Sequence, residues 1–168
     1  MRIASHVCAL ALAGSIALIA AGVAIGTPDG ARAVVTVRTT GLGKVLADQR
    51  GRTLYLFAKD KRRMSACSGS CVSFWPPLLT TGKPHAGSGL KASLLGTIRR
   101  NDGQTQVTYG GHPLYRYSLD KRPGQTKGEG LDDFGAHWYA VSPGGSKVVK
   151  ATGSTGGGSG YPGYPPRR

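Results

Sequence analysis

Asp60 and Asp120 each stand five residues after a tyrosine, in Tyr55-x-Phe57-x-x-Asp60 and Tyr115-x-Tyr117-x-x-Asp120. Two carboxylates in matched settings can share a proton or hold a cation when a fold brings them together, as acid–base catalysis requires. An aspartate at a strand end has a plainer use, accepting hydrogen bonds from backbone N–H groups of the following turn. The plainer use is the expectation, with the two carboxylates capping separate turns. Cys67 and Cys71, spaced C-x-x-x-C, could supply thiol chemistry. Outside the cytoplasm such a pair most simply forms a disulfide, and an oxidised pair is neither a nucleophile nor a strong metal site. His85, His112 and His137 could join them as ligands for zinc, copper or haem, but neither the cysteine nor the histidine spacing matches a zinc signature. Met64 is a lone soft donor, read as exposed.

Enzyme motifs are lacking in the same stretch. Residues 34–150 contain no G-x-S-x-G, H-E-x-x-H, P-loop or dinucleotide fingerprint. Asp102, Glu129, Asp132 and Asp133 lie in glycine-rich, turn-like sequence. The expectation is a protein that is not an enzyme, with no catalytic residue, no metal and no cofactor. His112, His137, Trp75 and Trp138 flank the aromatic motifs and are the candidates for holding a small ligand.

The motifs belong to a longer repeat. GRTLYLFAKDKR, residues 51–62, returns 60 positions later as GHPLYRYSLDKR, residues 111–122, with six identical positions and Phe57 replaced by Tyr117. Strand alternation places Tyr55 and Phe57 on one face and Tyr115 and Tyr117 on the equivalent face, with Leu54 and Leu114 pointing the other way. Each copy closes on a tryptophan, Trp75 or Trp138, suited to plugging an end of a small core. Strands are predicted at residues 34–37, 44–47, 53–58, 106–109, 114–119, 138–141 and 147–149, all short and rich in Val, Leu, Thr and aromatics. Turn formers separate them, and Gly110-Gly111 is a two-residue hairpin signal. Helix candidates are residues 70–74 and 90–95. The fold class is therefore mostly β: a small single domain of two duplicated antiparallel β half-units, barrel- or sandwich-like, with one or two short helices.

That domain spans residues 34–150. Before it, a basic start and an apolar run over residues 7–25 lead to Ala31-Arg32-Ala33, so residues 1–33 read as a signal peptide cleaved after Ala33. The alternative is an uncleaved membrane anchor, since a span needs about 20 residues. Residues 151–168, ATGSTGGGSGYPGYPPRR, cannot bury enough apolar surface to fold and read as a disordered Gly/Pro/Tyr tail. The chain carries a formal net charge of +14; removing Arg2, Arg32 and Asp29 with the leader leaves 20 basic and 7 acidic residues of the original 22 and 8. Lys61-Arg62-Arg63, Arg99-Arg100 and Lys121-Arg122 form basic clusters. For an exported protein the partners these imply are anionic envelope components, lipid head groups or wall polymers. Specific nucleic-acid recognition is not expected, because the aromatics read as buried. Nothing in the sequence sets an oligomeric state.

Both Tyr-bearing segments fit Y-x-[FWY]-x-x-D. With Cys67-x-x-x-Cys71, Trp75-Pro76-Pro77-Leu78 and Gly110-Gly111-His112-Pro113-Leu114-Tyr115, the chain resembles the bacterial family of lipoproteins and secreted proteins named for that repeat, over residues 42–143. The resemblance implies an envelope or secreted location and no known activity. This chain lacks the cysteine that would follow a lipoprotein's signal run. The expected function is a secreted, non-enzymatic binding module of the cell envelope. The alternatives are a metal- or haem-handling redox protein and an envelope factor for apolar compounds such as hydrocarbons.

Overall fold

The computed structural model describes residues 32–148; most of the expected leader and the expected tail lie outside the described residues. In chain order the strands are β1 Val34–Thr40, β2 Gly43–Asp48, β3 Tyr55–Phe57, β4 His85–Ala86, β5 Leu95–Arg99, β6 Thr105–Tyr109, β7 His112–Pro113, β8 Asp132–Asp133 and β9 Ala136–Ala140. A short helix, α1 Ser70–Phe74, precedes Trp75, and a 3-10 turn covers Ala92–Leu94. Three sheets of three strands run in the orders β2-β1-β4, β3-β9-β8 and β5-β6-β7. Pairing is antiparallel except between β1 and β4. The domain is mostly β and sandwich-like, and no closed barrel forms among the described residues.

The turns follow from their glycines. Gly110 and Gly111 both take positive φ, 59° and 86°, which is what a tight hairpin requires, and β6 and β7 pair across them. Three expectations change. The strand expected at residues 147–149 is, over its described residues, a single bridge from Lys147 to Val141. Residues 90–95 were expected as a helix; they hold only the 3-10 turn and then enter β5, where Thr97 and Ile98 pair with Val107 and Gln106. Residues 114–119 were expected as a strand, yet Tyr115 makes only isolated bridges, to Tyr55 and to Pro77. On that side lie Pro76 and Pro77, which have no N–H to donate, so a regular ladder cannot continue. Arg116 and Ser118 still donate their N–H groups to the carbonyls of Pro76 and Phe74, at 2.9 and 2.8 Å.

The two repeats are interlocked rather than side by side. The tryptophan segment of each pairs with the tyrosine segment of the other: residues 74–78 run against 114–118, and β9 runs against β3. Around each leucine the backbone closes a three-way ring. Leu54 N–H donates to Leu46, Leu46 to Val141 and Val141 to Leu54; Leu114 donates to Val107, Val107 to Leu78 and Leu78 to Leu114. Tyr55 and Tyr115 exchange N–H···O bonds, both 2.9 Å, so the local twofold axis passes between them.

Alternation then sorts the core into two layers. Leu54, Leu56 and Leu114 join Val35, Leu46, Leu78, Val107, Tyr109 and Val141 in an aliphatic layer. Tyr55, Phe57, Tyr115 and Tyr117 join Trp75, Trp138, Cys67 and Cys71 in an aromatic one. Ala33, the residue after which cleavage is expected, is buried, with its N–H on Thr80 Oγ1 at 3.1 Å and its carbonyl accepting from His85 N–H at 2.8 Å.

Candidate functional site

Each motif tyrosine reaches the aspartate of the opposite repeat. Tyr55 Oη donates to Asp120 Oδ2 at 2.6 Å, and Tyr115 Oη donates to Asp60 Oδ2 at 2.8 Å. The second carboxylate oxygen caps the aspartate's own turn: Asp60 Oδ1 accepts from Ala66 N–H at 2.7 Å, Asp120 Oδ1 from Lys127 N–H at 3.0 Å. The aspartates therefore serve as turn caps and as cross-repeat acceptors together. Burial, then the charge of the facing aspartate, pushes both phenols up, so they stay protonated at any physiological pH. Burial also raises the carboxyl of Asp60 to about 6, against the offsetting Ala66 N–H, the Tyr115 hydroxyl and the charge of Arg100. Asp120 shifts up for the same first reason.

Phe57, Tyr117 and the two tryptophans form one stack through the centre of the domain. Phe57 lies 4.1 Å from Trp138, Trp138 3.8 Å from Trp75, and Trp75 4.4 Å from Tyr117, centroid to centroid. Tyr55 meets Trp75 edge-on at 5.5 Å and Tyr115 meets Trp138 likewise at 5.1 Å. Here too the repeats trade partners, since Phe57 stacks on the second repeat's tryptophan and Tyr117 on the first's. Both indole N–H groups end on Asp133, Trp75 Nε1 on its carboxylate at 3.2 Å and Trp138 Nε1 on its carbonyl at 3.1 Å. The tryptophans sit at the middle of the core, not at an end, and both have zero solvent exposure. Their faces are covered by protein.

Cys67 and Cys71 are joined in a disulfide, with Cα atoms 5.4 Å apart. The bridge is buried beside a polar network that the sequence did not suggest. Arg100, read as part of a surface basic cluster, is only 7% exposed. Its guanidinium donates to Cys67 O, Gln106 Oε1, Ser65 Oγ and Asp102 Oδ2 at 2.7, 2.6, 2.9 and 3.1 Å. That fork explains the burial: a charged head can leave water when its donors are met. Ser65 Oγ lies 2.8 Å from Tyr115 Oη, which links the network to Asp60.

The histidines lie apart from this. His112 is half-buried on β7, its pKa lowered by burial and by Arg62 nearby. His137 is exposed on β9, its ring 6.0 Å from that of Tyr139, and His85 is exposed on β4. Among the described residues, no three of His, Cys, Asp and Glu gather closely enough to hold a metal ion.

The two motif turns present basic side chains to solvent. Lys61, Arg62, Arg63, Lys121 and Arg122 are all exposed. The two turns that carry them are again related by exchange: Arg63 N–H donates to Gly111 O at 3.0 Å, and Gly124 N–H donates to Gly51 O at 2.9 Å. Gly51 and Gly111, the first residues of the repeated segment, take positive φ at these junctions, and a Cβ there would meet the guanidinium of Arg38 or of Arg62.

Every identical position of the repeat thus has a place in one interlocked scaffold or on its basic rim. No curated protein and no solved structure matches the chain. A family model described as a secreted repeat of unknown function matches twice, over residues 36–79 and 96–142, together more than half of the 168 residues. Each match runs from the opening hairpin of a repeat to the segment just after its tryptophan, so the chain belongs to this family of secreted repeats.

Proposed function

We propose that the protein is a non-enzymatic binding module of the cell envelope that takes anionic envelope components on its basic surface. What carries this reading is how the charges are spent. Asp48 is buried against Arg52 and Arg116, Asp102 pairs with Arg100, and Asp60 and Asp120 face the tyrosines. Lys61, Arg62, Arg63, Lys121 and Arg122 take part in none of the ion pairs seen among the described residues. The motif tyrosines and aspartates are hydrogen-bonded to one another and the cysteines are bridged, while the outward field is positive, which draws polyanions. Export by the leader read over residues 1–33 would bring that field to the envelope.

The test is binding of the exported protein to polyphosphate, as a stand-in for phosphate-backboned wall polymers, and to phosphatidylglycerol vesicles across a salt series. Binding to at least one is expected, falling steeply as salt screens the contact. Failure to bind either at low ionic strength, or binding that salt does not weaken, contradicts the reading.

A further inference from the structure

Met64 and Leu119 are the exposed large apolar side chains among the described residues, at 61% and 41%. Both belong to the basic turns. Met64 closes the turn that begins at Lys61, with its N–H on Lys61 O at 3.0 Å. Leu119 immediately precedes Asp120-Lys121-Arg122, and its carbonyl accepts from Lys121 N–H at 3.1 Å. The two are not equivalent positions of the repeat: the residue matching Leu119 is Lys59, and Met64 falls beyond the repeated segment.

We propose that these two turns dock the protein on an anionic lipid bilayer. The inference rests on the polyanion reading above and names its partner. A hydrophilic polymer offers charge alone, whereas the boundary of head groups and acyl chains offers charge and an apolar medium within one side chain's reach. Lys and Arg beside a buried Met or Leu keep their heads among the phosphates while their stems follow the apolar residue inward. Local negative charge that would oppose this is withdrawn. Asp120 is 3% exposed and faces Tyr55, and Asp60 faces Tyr115. The Tyr55–Tyr115 exchange relates the two turns by the same local twofold.

The experiment compares wild type, the double variant Met64→Ser/Leu119→Ser and the double variant Lys61→Gln/Lys121→Gln. Vesicles of phosphatidylglycerol, vesicles of phosphatidylcholine and polyphosphate are the ligands. All four substituted positions are exposed, and thermal unfolding checks that the variants stay folded. The expected result is selective binding to phosphatidylglycerol, weakened about tenfold or more by removing the apolar pair. Polyphosphate binding should be unchanged in that variant, and both ligands should bind less well to the lysine variant. Vesicle binding that ignores Met64→Ser/Leu119→Ser overturns bilayer docking, and so does equal binding to phosphatidylcholine. In either case retained polyphosphate binding leaves the wider polyanion reading standing. Absence of wild-type binding to every ligand overturns both.

Discussion

Tyr55 and Asp120 are 65 residues apart in the chain, and their side chains meet at 2.6 Å. The twin contact, Tyr115 to Asp60, spans 55 residues at 2.8 Å. Each repeat thus supplies the carboxylate that the other repeat's tyrosine bonds, and neither tyrosine is paired with its own repeat's aspartate. This is why the segment occurs twice: the two copies complete one another's hydrogen bonds, strands and ring stacks.

The ring stack gives the largest expected losses. Phe57→Ala and Tyr117→Ala each remove an end of the stack from positions that are 2% and 6% exposed. Each should cost about 3–5 kcal/mol, a large share of the roughly 5–15 kcal/mol that holds a small domain together. Gly128→Ala tests the same region from outside, because its Cβ would lie 2.8 Å from the Trp75 ring and 3.0 Å from the Tyr55 ring. Overpacking of that kind should cost about 1–3 kcal/mol. Thermal and urea unfolding measure all three, and stable alanine variants at positions 57 and 117 would remove the stack from the account.

Stability should fall as pH rises toward neutrality, insofar as the buried carboxyls govern it. Asp60 titrates near 6 in the fold against an ordinary 3.8, so between those values the native state holds a proton that the unfolded chain has released. Its contribution is complete below about pH 4 and is lost as pH rises through about 6. Asp120 and Glu129 are pushed up by burial and act with the same sign; Asp102, held down first by the Gln104 N–H, acts with the opposite one. Melting temperatures of wild type and Asp60→Asn, across pH from about 4 to about 7, isolate the effect from the general positive charge. A flatter profile in the variant is expected. An identical profile would show that Asp60 does not titrate in this window.

Reducing the Cys67–Cys71 bridge should weaken the fold without abolishing it. The closed loop is short, so the loss is about 2 kcal/mol. The bridge pins residues 65–71, where Ala66 N–H donates to Asp60 and Cys67 O accepts from Arg100. Intact mass with and without reduction, followed by urea unfolding of both forms, checks the linkage and its size. Free thiols in protein exported from an oxidising compartment would contradict it.

Much of this architecture was legible in the residues. The 60-position offset reveals the duplication, and strand alternation places Leu54 opposite Tyr55 and Phe57, which assigns the two core layers. Gly110-Gly111 announces its hairpin because few other pairs accept two positive φ values. The exchange between repeats was not legible. Tyr55 could meet Asp60 or Asp120 with the same local sequence, and only the long-range pairing of β9 with β3 decides. Arg100 was misplaced for a related reason: beside Arg99 it looks like a surface charge. The groups that satisfy it, at Ser65, Cys67 and Gln106, come together only when β6 packs near the disulfide loop. Residues 90–95 are a helix candidate on local sequence alone, and pairing with β6 takes over from Leu95 onward.

The exchange itself is tested most directly by a double-mutant cycle between Tyr55→Phe and Asp120→Asn, run beside a control cycle between Tyr55→Phe and Asp60→Asn. Urea unfolding of the single and double variants gives a coupling energy for each pair. The interlocked arrangement predicts coupling of about 1.5–3 kcal/mol for Tyr55 with Asp120, the range for a hydrogen bond to a charged group. For Tyr55 with Asp60 it predicts additivity within about 0.5 kcal/mol. Coupling confined to the Tyr55–Asp60 pair would mean that each repeat satisfies itself, and would contradict the exchanged scaffold.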